Sequence, residues 1–301
     1  MIRYEALSPG QQALMPNLFL IGAGKCGTTS LHAYLGQHPE ITGARVKEPS
    51  FFTDKAELAR RQLMEAMRPE ANELDAFLAL FAGGERTRYR MESSPTYTNY
   101  PVFTGVPERI AAASPRARLI YLVRNPVDRT ISNYWHSRRQ LAEPLPLRDA
   151  LRPDTIYFHY SDYKAQLDRY RALFDDIIIV ASEEMRDAPQ ATLRRITDRL
   201  GLAPLELDAD ALRERNRTAA TTRQPRFPLV RRLRDTRAWN RVRDRLPQGT
   251  LETIRALAVR QVPRDSADEA EVRRMLRDHF APMVRAFDDA YATRLYAIWF
   301  A

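Results

Sequence analysis

Cysteine occurs once in the 301 residues, at Cys26, which excludes an intramolecular disulfide framework. A reducing compartment is the simplest reading. No Cys/His grouping has zinc-ligand spacing, so no metal site is expected. Lysine is almost as scarce: Lys25, Lys47, Lys55 and Lys164 are the only ones, and the rest of the 47 basic residues are arginine. No apolar run approaches the roughly 20 residues that span a bilayer, and the opening MIRYEALSPGQQ lacks a signal-peptide core. A cytoplasmic protein without a membrane span is expected. Acids are outnumbered, 38 to 47, leaving a net charge of +9 that favours anionic ligands such as nucleotides or acidic acceptors.

What is present suffices for a large core: 44% of residues are apolar and 28% charged, with no signature of disorder. The apolar runs around Leu18–Ala23, Arg118–Arg124 and Asp176–Ser182 are short and continuous, as buried strands are, and Tyr89–Ser93 is a weaker candidate. Amphipathic helices are predicted over 56–68, 72–82, 126–142, 162–174 and 188–200. In the fourth, Tyr163, Leu167, Tyr170 and Phe174 share one face. Alternating strands and helices predict an α/β fold, a central parallel sheet flanked by helices over 16–203, with a helical part without strands over 204–301. Ligands of such sheets bind at the carboxyl ends of the strands, which directs attention to the loops after Gly22, Ser93, Val123 and Ser182. The stretch 215–227 reads as a polar loop. The arginine-rich stretch 226–245 reads as a solvated helix face or an anion-binding surface.

Gly22-Ala23-Gly24-Lys25-Cys26-Gly27-Thr28-Thr29-Ser30 falls between a predicted strand and a predicted helix, where backbone N–H groups can cradle an anion. Gly22 and Gly27 keep the separation of the two glycines in the G-x-x-x-x-G-K-[ST] nucleotide loop. Thr28 stands at the lysine position, and the lysine has moved to 25. From inside the loop Lys25 can meet the leaving-group side of a short phosphorylated chain, while Thr28, Thr29 and Ser30 hold the phosphate. The plainer reading is a glycine-rich turn with a surface lysine.

In many magnesium-nucleotide enzymes a second apolar strand ends in an acid. Here LIYLV ends in Arg124, which would oppose a cation and grip another phosphate through its planar fork. Asn125 fits an N-cap, Pro126 the first helical position and Asp128 the first turn. Ser132 then lies about two turns along, able to share an anion with Arg124. Taken singly, Arg124 reads as a strand-end salt bridge and Ser132 as helix surface. A nucleotide phosphorylated at both its 5′ and 3′ positions would use both sites.

These stretches resemble those of the P-loop sulfotransferases that use 3′-phosphoadenosine 5′-phosphosulfate (PAPS), in the branch of heparan sulfate sulfotransferases and bacterial small-molecule enzymes. GAGKCGTTSL is similar to the 5′-phosphosulfate loop, and RNPVDRTISNYWH to the 3′-phosphate motif R-x-P-x-x-R-x-x-S-x-Y. HPEI with KEPSFF, ESSPTY, SDYKAQLDRY and LRDHFAPMVRAFDDAY extend the likeness over nearly the whole chain, as a single domain. The resemblance implies that Lys25, Cys26, Gly27, Thr28, Thr29 and Ser30 bind the 5′-phosphosulfate, with Lys25 at the bridging oxygen, and that Arg124 and Ser132 bind the 3′-phosphate. It places Tyr163 near the adenine, whereas periodicity reads Tyr163 as a core aromatic.

The resemblance also implies that Glu48, three residues before the first aromatic of KEPSFF, is the catalytic base. Aromatic walls from that pair would raise its basicity. A surface Lys47–Glu48 loop is the alternative, and His32, His136 and His159 are rival bases. One departure is Ser93 after Glu92, where heparan-type enzymes often carry a lysine, which weakens a sulfated-polysaccharide acceptor. The expected activity is transfer of a sulfuryl group from PAPS to a hydroxyl of a small molecule, saccharide, glycolipid or carrier-bound intermediate, with no metal. A small-metabolite P-loop kinase would need magnesium and an acid near Arg124. A polyanion binder using 226–245 leaves both phosphate motifs unexplained, so no nucleic-acid partner is expected.

Overall fold

Short extended segments with buried backbone satisfy their hydrogen bonds away from water by pairing with one another. In the computed structural model, which describes residues 2–61, 68–139, 143–207, 222–225, 259–262 and 266–301, five such segments build one sheet. They are β1 (Leu18–Gly22), β2 (Ile41–Gly43), β3 (Tyr89–Ser93), β4 (Arg118–Val123) and β5 (Ile177–Ala181). The order is β2-β3-β1-β4-β5, and every pair is parallel. β1 lies in the middle, with Leu18, Phe19, Leu20 and Ile21 all 0% exposed. Each buried side chain of that size contributes about 1.5–3 kcal/mol, so an acid at Leu20 would break the sheet at its centre. β2 escapes the sequence patterns because it is three residues long and only Ile41 is buried.

The segments after these strands form helices: α1 (Thr28–Leu35), α2 (Pro126–Arg139), α3 (Tyr163–Arg171), α4 (Ser182–Asp187) and α5 (Pro189–Arg199). Local chemistry sets their starts. Asn125 Oδ1 accepts from the Val127 N–H at 3.0 Å ahead of Pro126, and Asp162 accepts from the Ala165 N–H at 3.0 Å. The segment predicted as helix over 72–82 is instead Pro69–Asn72, Leu74–Leu78 and a 3-10 turn at Ala79–Phe81, with extended Glu73 splitting the first two. The segment predicted over 56–68 is helical at Lys55–Arg60; residues 62–67 lie outside the described residues.

The strand-free reading of 204–301 is corrected. β6 (Thr222–Pro225), inside the stretch read as a polar loop, pairs antiparallel with β7 (Val259–Val262). Thr-Arg-Gln-Pro has no apolar alternation, and its partner is far along the chain, so nothing local announces the pairing. The arginine-rich stretch 226–245 lies outside the described residues.

Two helices close the chain, α6 (Ser266–Tyr291) and α7 (Leu295–Phe300). Val272, Leu276, Phe280, Val284 and Phe287 form the buried stripe of α6. Its Arg273 Nη1 reaches Asp128 of α2 at 2.7 Å, and Asn125 Nδ2 donates to the Trp299 carbonyl of α7 at 3.3 Å. The C-terminal helices therefore clamp the turn that leads into α2.

Candidate active site

The carboxyl ends of β1, β3, β4 and β5 open into one cleft of about 760 Å³. Its walls come from the four loops that the sheet topology singles out: Gly24–Leu31, Pro95 to Asn99, Arg124 with α2, and Ser182 to Arg186. Glu48 joins them from the loop after β2.

Two glycines shape the first loop. Gly22 has φ +146°, and a Cβ there would stand 2.0 Å from Thr98 Oγ1, so only glycine fits. Gly27 caps α1 with φ +92°. Lys25 itself adopts φ +72°, a left-handed conformation rare for a side-chain-bearing residue, which turns it out of the run of the loop. The first-turn amides of Thr28 and Thr29 cannot be used by the helix ladder and are free to meet an anion. Cys26 points inward and is 1% exposed; burial pushes its thiol up to about 11, so it contributes backbone and packing and no nucleophile.

Lys25 Nζ lies 3.5 Å from His136 Nδ1, and the Arg124 guanidinium donates to the Lys25 carbonyl at 3.4 Å. Burial, then Arg139, Arg124 and Arg129, hold the Lys25 ammonium below its ordinary pKa, with Glu48 opposing them. Five cations, Lys25, Arg124, Arg129, Arg139 and Arg186, line the cleft against two acids, Glu48 and Glu183. Such a surplus in a half-enclosed site stabilises a polyanion and is relieved by one. Ser132 lines the same wall one helical turn from His136.

Arg129, in the same motif as Arg124 and Ser132, was given no role on sequence grounds. Among the described residues it is the largest fully buried side chain, 1% exposed. Its Nε donates to the Gly24 carbonyl at 3.1 Å, and its Nη1 donates to Ser161 Oγ at 2.8 Å and the Tyr157 carbonyl at 3.4 Å. No described carboxylate lies within salt-bridge distance of it. The i, i+5 spacing from Arg124 was the available signal. It did not reveal that the helix turns this guanidinium under the Gly24 loop.

Tyr163 is 3% exposed and is not among the cleft-lining residues. Its hydroxyl donates to the Arg124 carbonyl at 2.7 Å and accepts from the Arg124 N–H at 3.3 Å, so it fixes the backbone of Arg124 from behind. The core-aromatic reading describes this position. Tyr160, which does line the cleft, was not anticipated.

Glu48 is half-exposed and ion-paired with Lys47, whose ammonium also lies 3.5 Å from Thr28 Oγ1. Phe51 and Phe52 do not line the cleft with it. They are 6% and 2% exposed, with Phe51 stacked on Phe77 at 4.1 Å, and they anchor the loop in the core. The rival histidines separate clearly. His32 Nδ1 is 2.7 Å from Ser93 Oγ, and burial and Lys47 depress its pKa to about 4. It is structural. His159 is absent from the cleft lining, and His136 lines it beside Lys25, with burial and Lys25 holding its pKa at about 4.

The sulfotransferase family model matches residues 16–206. The human bifunctional heparan sulfate N-deacetylase/N-sulfotransferase 2 is 27% identical over 212 residues, covering 63% of this chain and 22% of that protein. The human heparan sulfate glucosamine 3-O-sulfotransferase 6 is 30% identical over 213 residues, covering 67% of this chain and 57% of that protein. The chain thus spans less than two thirds of either relative's length. The crystal structure of a sulfotransferase from Alicyclobacillus acidocaldarius superposes with a TM-score of 0.54 at 30% identity, covering 65% of this chain and 87% of that one.

Proposed function

The chain belongs to the sulfotransferase family, and on that premise we propose that it moves the sulfuryl group of PAPS to a hydroxyl of a saccharide or small-molecule acceptor. The observation that carries this reading is the convergence of Lys25, Arg124, Ser132 and Glu48 on one cleft. The Lys25 pKa is lowered first by burial and then by neighbouring cations, and such a cluster suits a ligand bearing phosphates at two positions, which supplies counter-charge.

The donor supplies a sulfuryl group on a phosphate leaving group; the rest of the chemistry falls to this chain. The Lys25 to Ser30 loop would hold the 5′ side through its amides and hydroxyls, and Arg124 with Ser132 the 3′ phosphate. Lys25 is the cation available where negative charge grows on the departing oxygen. Glu48 takes the acceptor proton, and its ion pair with Lys47 orients the carboxylate until the acceptor arrives. The buried guanidinium of Arg129 holds the Gly24 carbonyl, so the loop amides stay aimed at the anion.

The single cysteine favours a reducing compartment, and no described helix is long and apolar enough to cross a membrane. The names of the two human relatives make saccharides the first acceptors to try. Thermal melting with adenosine 3′,5′-bisphosphate tests the donor assignment: stabilisation without magnesium is expected. Preference for magnesium ATP would instead favour a kinase. Mass spectrometry of a saccharide and phenol panel incubated with PAPS then identifies the acceptor by the gain of one SO₃.

A further inference from the structure

The proposed chemistry leaves one buried acid unused. Glu92 of β3 is 0% exposed and sits beside Phe19 of β1 in the sheet. Its Oε1 accepts from Ser94 Oγ at 2.5 Å, while Oε2 has no hydrogen-bond partner. The short stretch around it also grips the segment that carries Glu48. The Glu48 N–H donates to the Ser93 carbonyl at 3.1 Å, the Ser50 N–H to Ser94 Oγ at 3.0 Å, and the Phe52 N–H to the Tyr97 hydroxyl at 3.3 Å. Glu48 and Ser50 have φ of 62° and 55°, left-handed values that neither residue favours alone. The segment is therefore shaped by these bonds and not by its own preference. Ser94 has a single hydroxyl hydrogen. Because that hydrogen goes to Glu92, its lone pair is presented to the Ser50 N–H.

We propose that Glu92 is a positioning residue for Glu48, acting through Ser94 to set the backbone of the 48–52 segment. The inference rests on the reading of Glu48 as the base. Charged and titratable groups reach Glu92 from several sides: Lys47 and Glu48 from the loop after β2, Tyr97 from the turn after β3, and Tyr170 from α3. From β1 the paired residue is apolar Phe19. Burial pushes the Glu92 carboxyl up to about 8; Ser94, Tyr97 and Lys47 pull it down and Glu48 adds to the rise. At neutral pH the acid holds its proton, which spares an unpartnered oxygen a full charge. When that proton leaves to solvent at higher pH, the new carboxylate repels Glu48 and competes for Lys47, the present partner of Glu48. The base should then lose its placement on the alkaline side.

The test is an NMR titration over roughly pH 6 to 10, with carbon-13 at the glutamate carboxyls and nitrogen-15 at the backbone. Wild type, E92Q, S94A and E48Q are compared, each with adenosine 3′,5′-bisphosphate as the donor-site probe. One carboxyl resonance, missing in E92Q, should titrate near pH 8, and the Ser50 and Phe52 amides should move with the same midpoint. Those amides should be flat in E92Q. In S94A the carboxyl should still titrate while Ser50 no longer follows, which keeps the test decisive if E92Q does not fold. A Glu92 midpoint in the ordinary carboxylate range, or a Ser50 amide that follows equally in S94A, overturns the proposal. E48Q separates the two readings. Amide coupling that persists in an E48Q protein still transferring sulfuryl groups from PAPS supports the hold of Glu92 on the segment and overturns only Glu48 as base. Loss of amide coupling in an inactive E48Q overturns only the role of Glu92.

Discussion

Replacing Arg129 by alanine probes the least expected feature of the cleft, a buried cation that no described carboxylate pairs. The change deletes the bonds to Ser161 Oγ at 2.8 Å and the Gly24 carbonyl at 3.1 Å, together with the longer one to the Tyr157 carbonyl. Bonds from a charged donor contribute about 1.5–3 kcal/mol each, so the two shorter ones sum to about 3–6 kcal/mol. Removing a guanidinium held without a counter-ion returns part of this, because its desolvation cost disappears. The net loss should be about 2–4 kcal/mol, which lowers the melting temperature by about 3–6 °C for a domain of this size. The Gly24 carbonyl keeps only the weak Cys26 thiol donor at 3.8 Å and the loop loosens, so the added stabilisation by adenosine 3′,5′-bisphosphate should also shrink. Arg129→Lys retains the charge without the fork and should fall between the two. Scanning calorimetry with and without the nucleotide is the assay. An alanine variant that melts with wild type and is stabilised equally by the nucleotide refutes the argument that this guanidinium braces the loop.

Other perturbations separate the roles within the cleft. Lys25→Ala and Arg124→Ala should each weaken adenosine 3′,5′-bisphosphate by roughly tenfold or more, the loss of one charge-assisted contact, as read by isothermal titration calorimetry. Glu48→Gln should leave that affinity nearly unchanged and slow transfer by about 10²–10⁴ in single-turnover assays; normal turnover would mean that another group takes the proton. Because the His136 pKa is depressed to about 4, the unfolded chain binds more protons than the folded one between about pH 4 and 6.5. Stability should therefore rise with pH through that window. Melting temperatures of His136→Asn should depend on pH less steeply there, and an unchanged slope would rule the assignment out. With its thiol pushed up to about 11, only about one Cys26 in a thousand is ionised at pH 8. Iodoacetamide should label it only after unfolding, which intact-mass measurement can follow.

The glycine turn from Gly22 to Ser30, the strand before it and the capped start of α2 were legible in the sequence, because each is set by neighbours a few residues apart. A glycine at Gly27 permits a left-handed turn, Asn125 caps the next helix, and Leu18 to Ile21 must pair out of water. What those same letters do across the chain was not legible. Phe51 and Phe52 leave Glu48 for the core, and Tyr163 turns behind Arg124. Arg129 is buried beneath Gly24, and Glu92 beside Ser94. Burial and partnership depend on which elements meet when the sheet closes, and a side chain's charge state follows from that meeting more than from its neighbours in sequence.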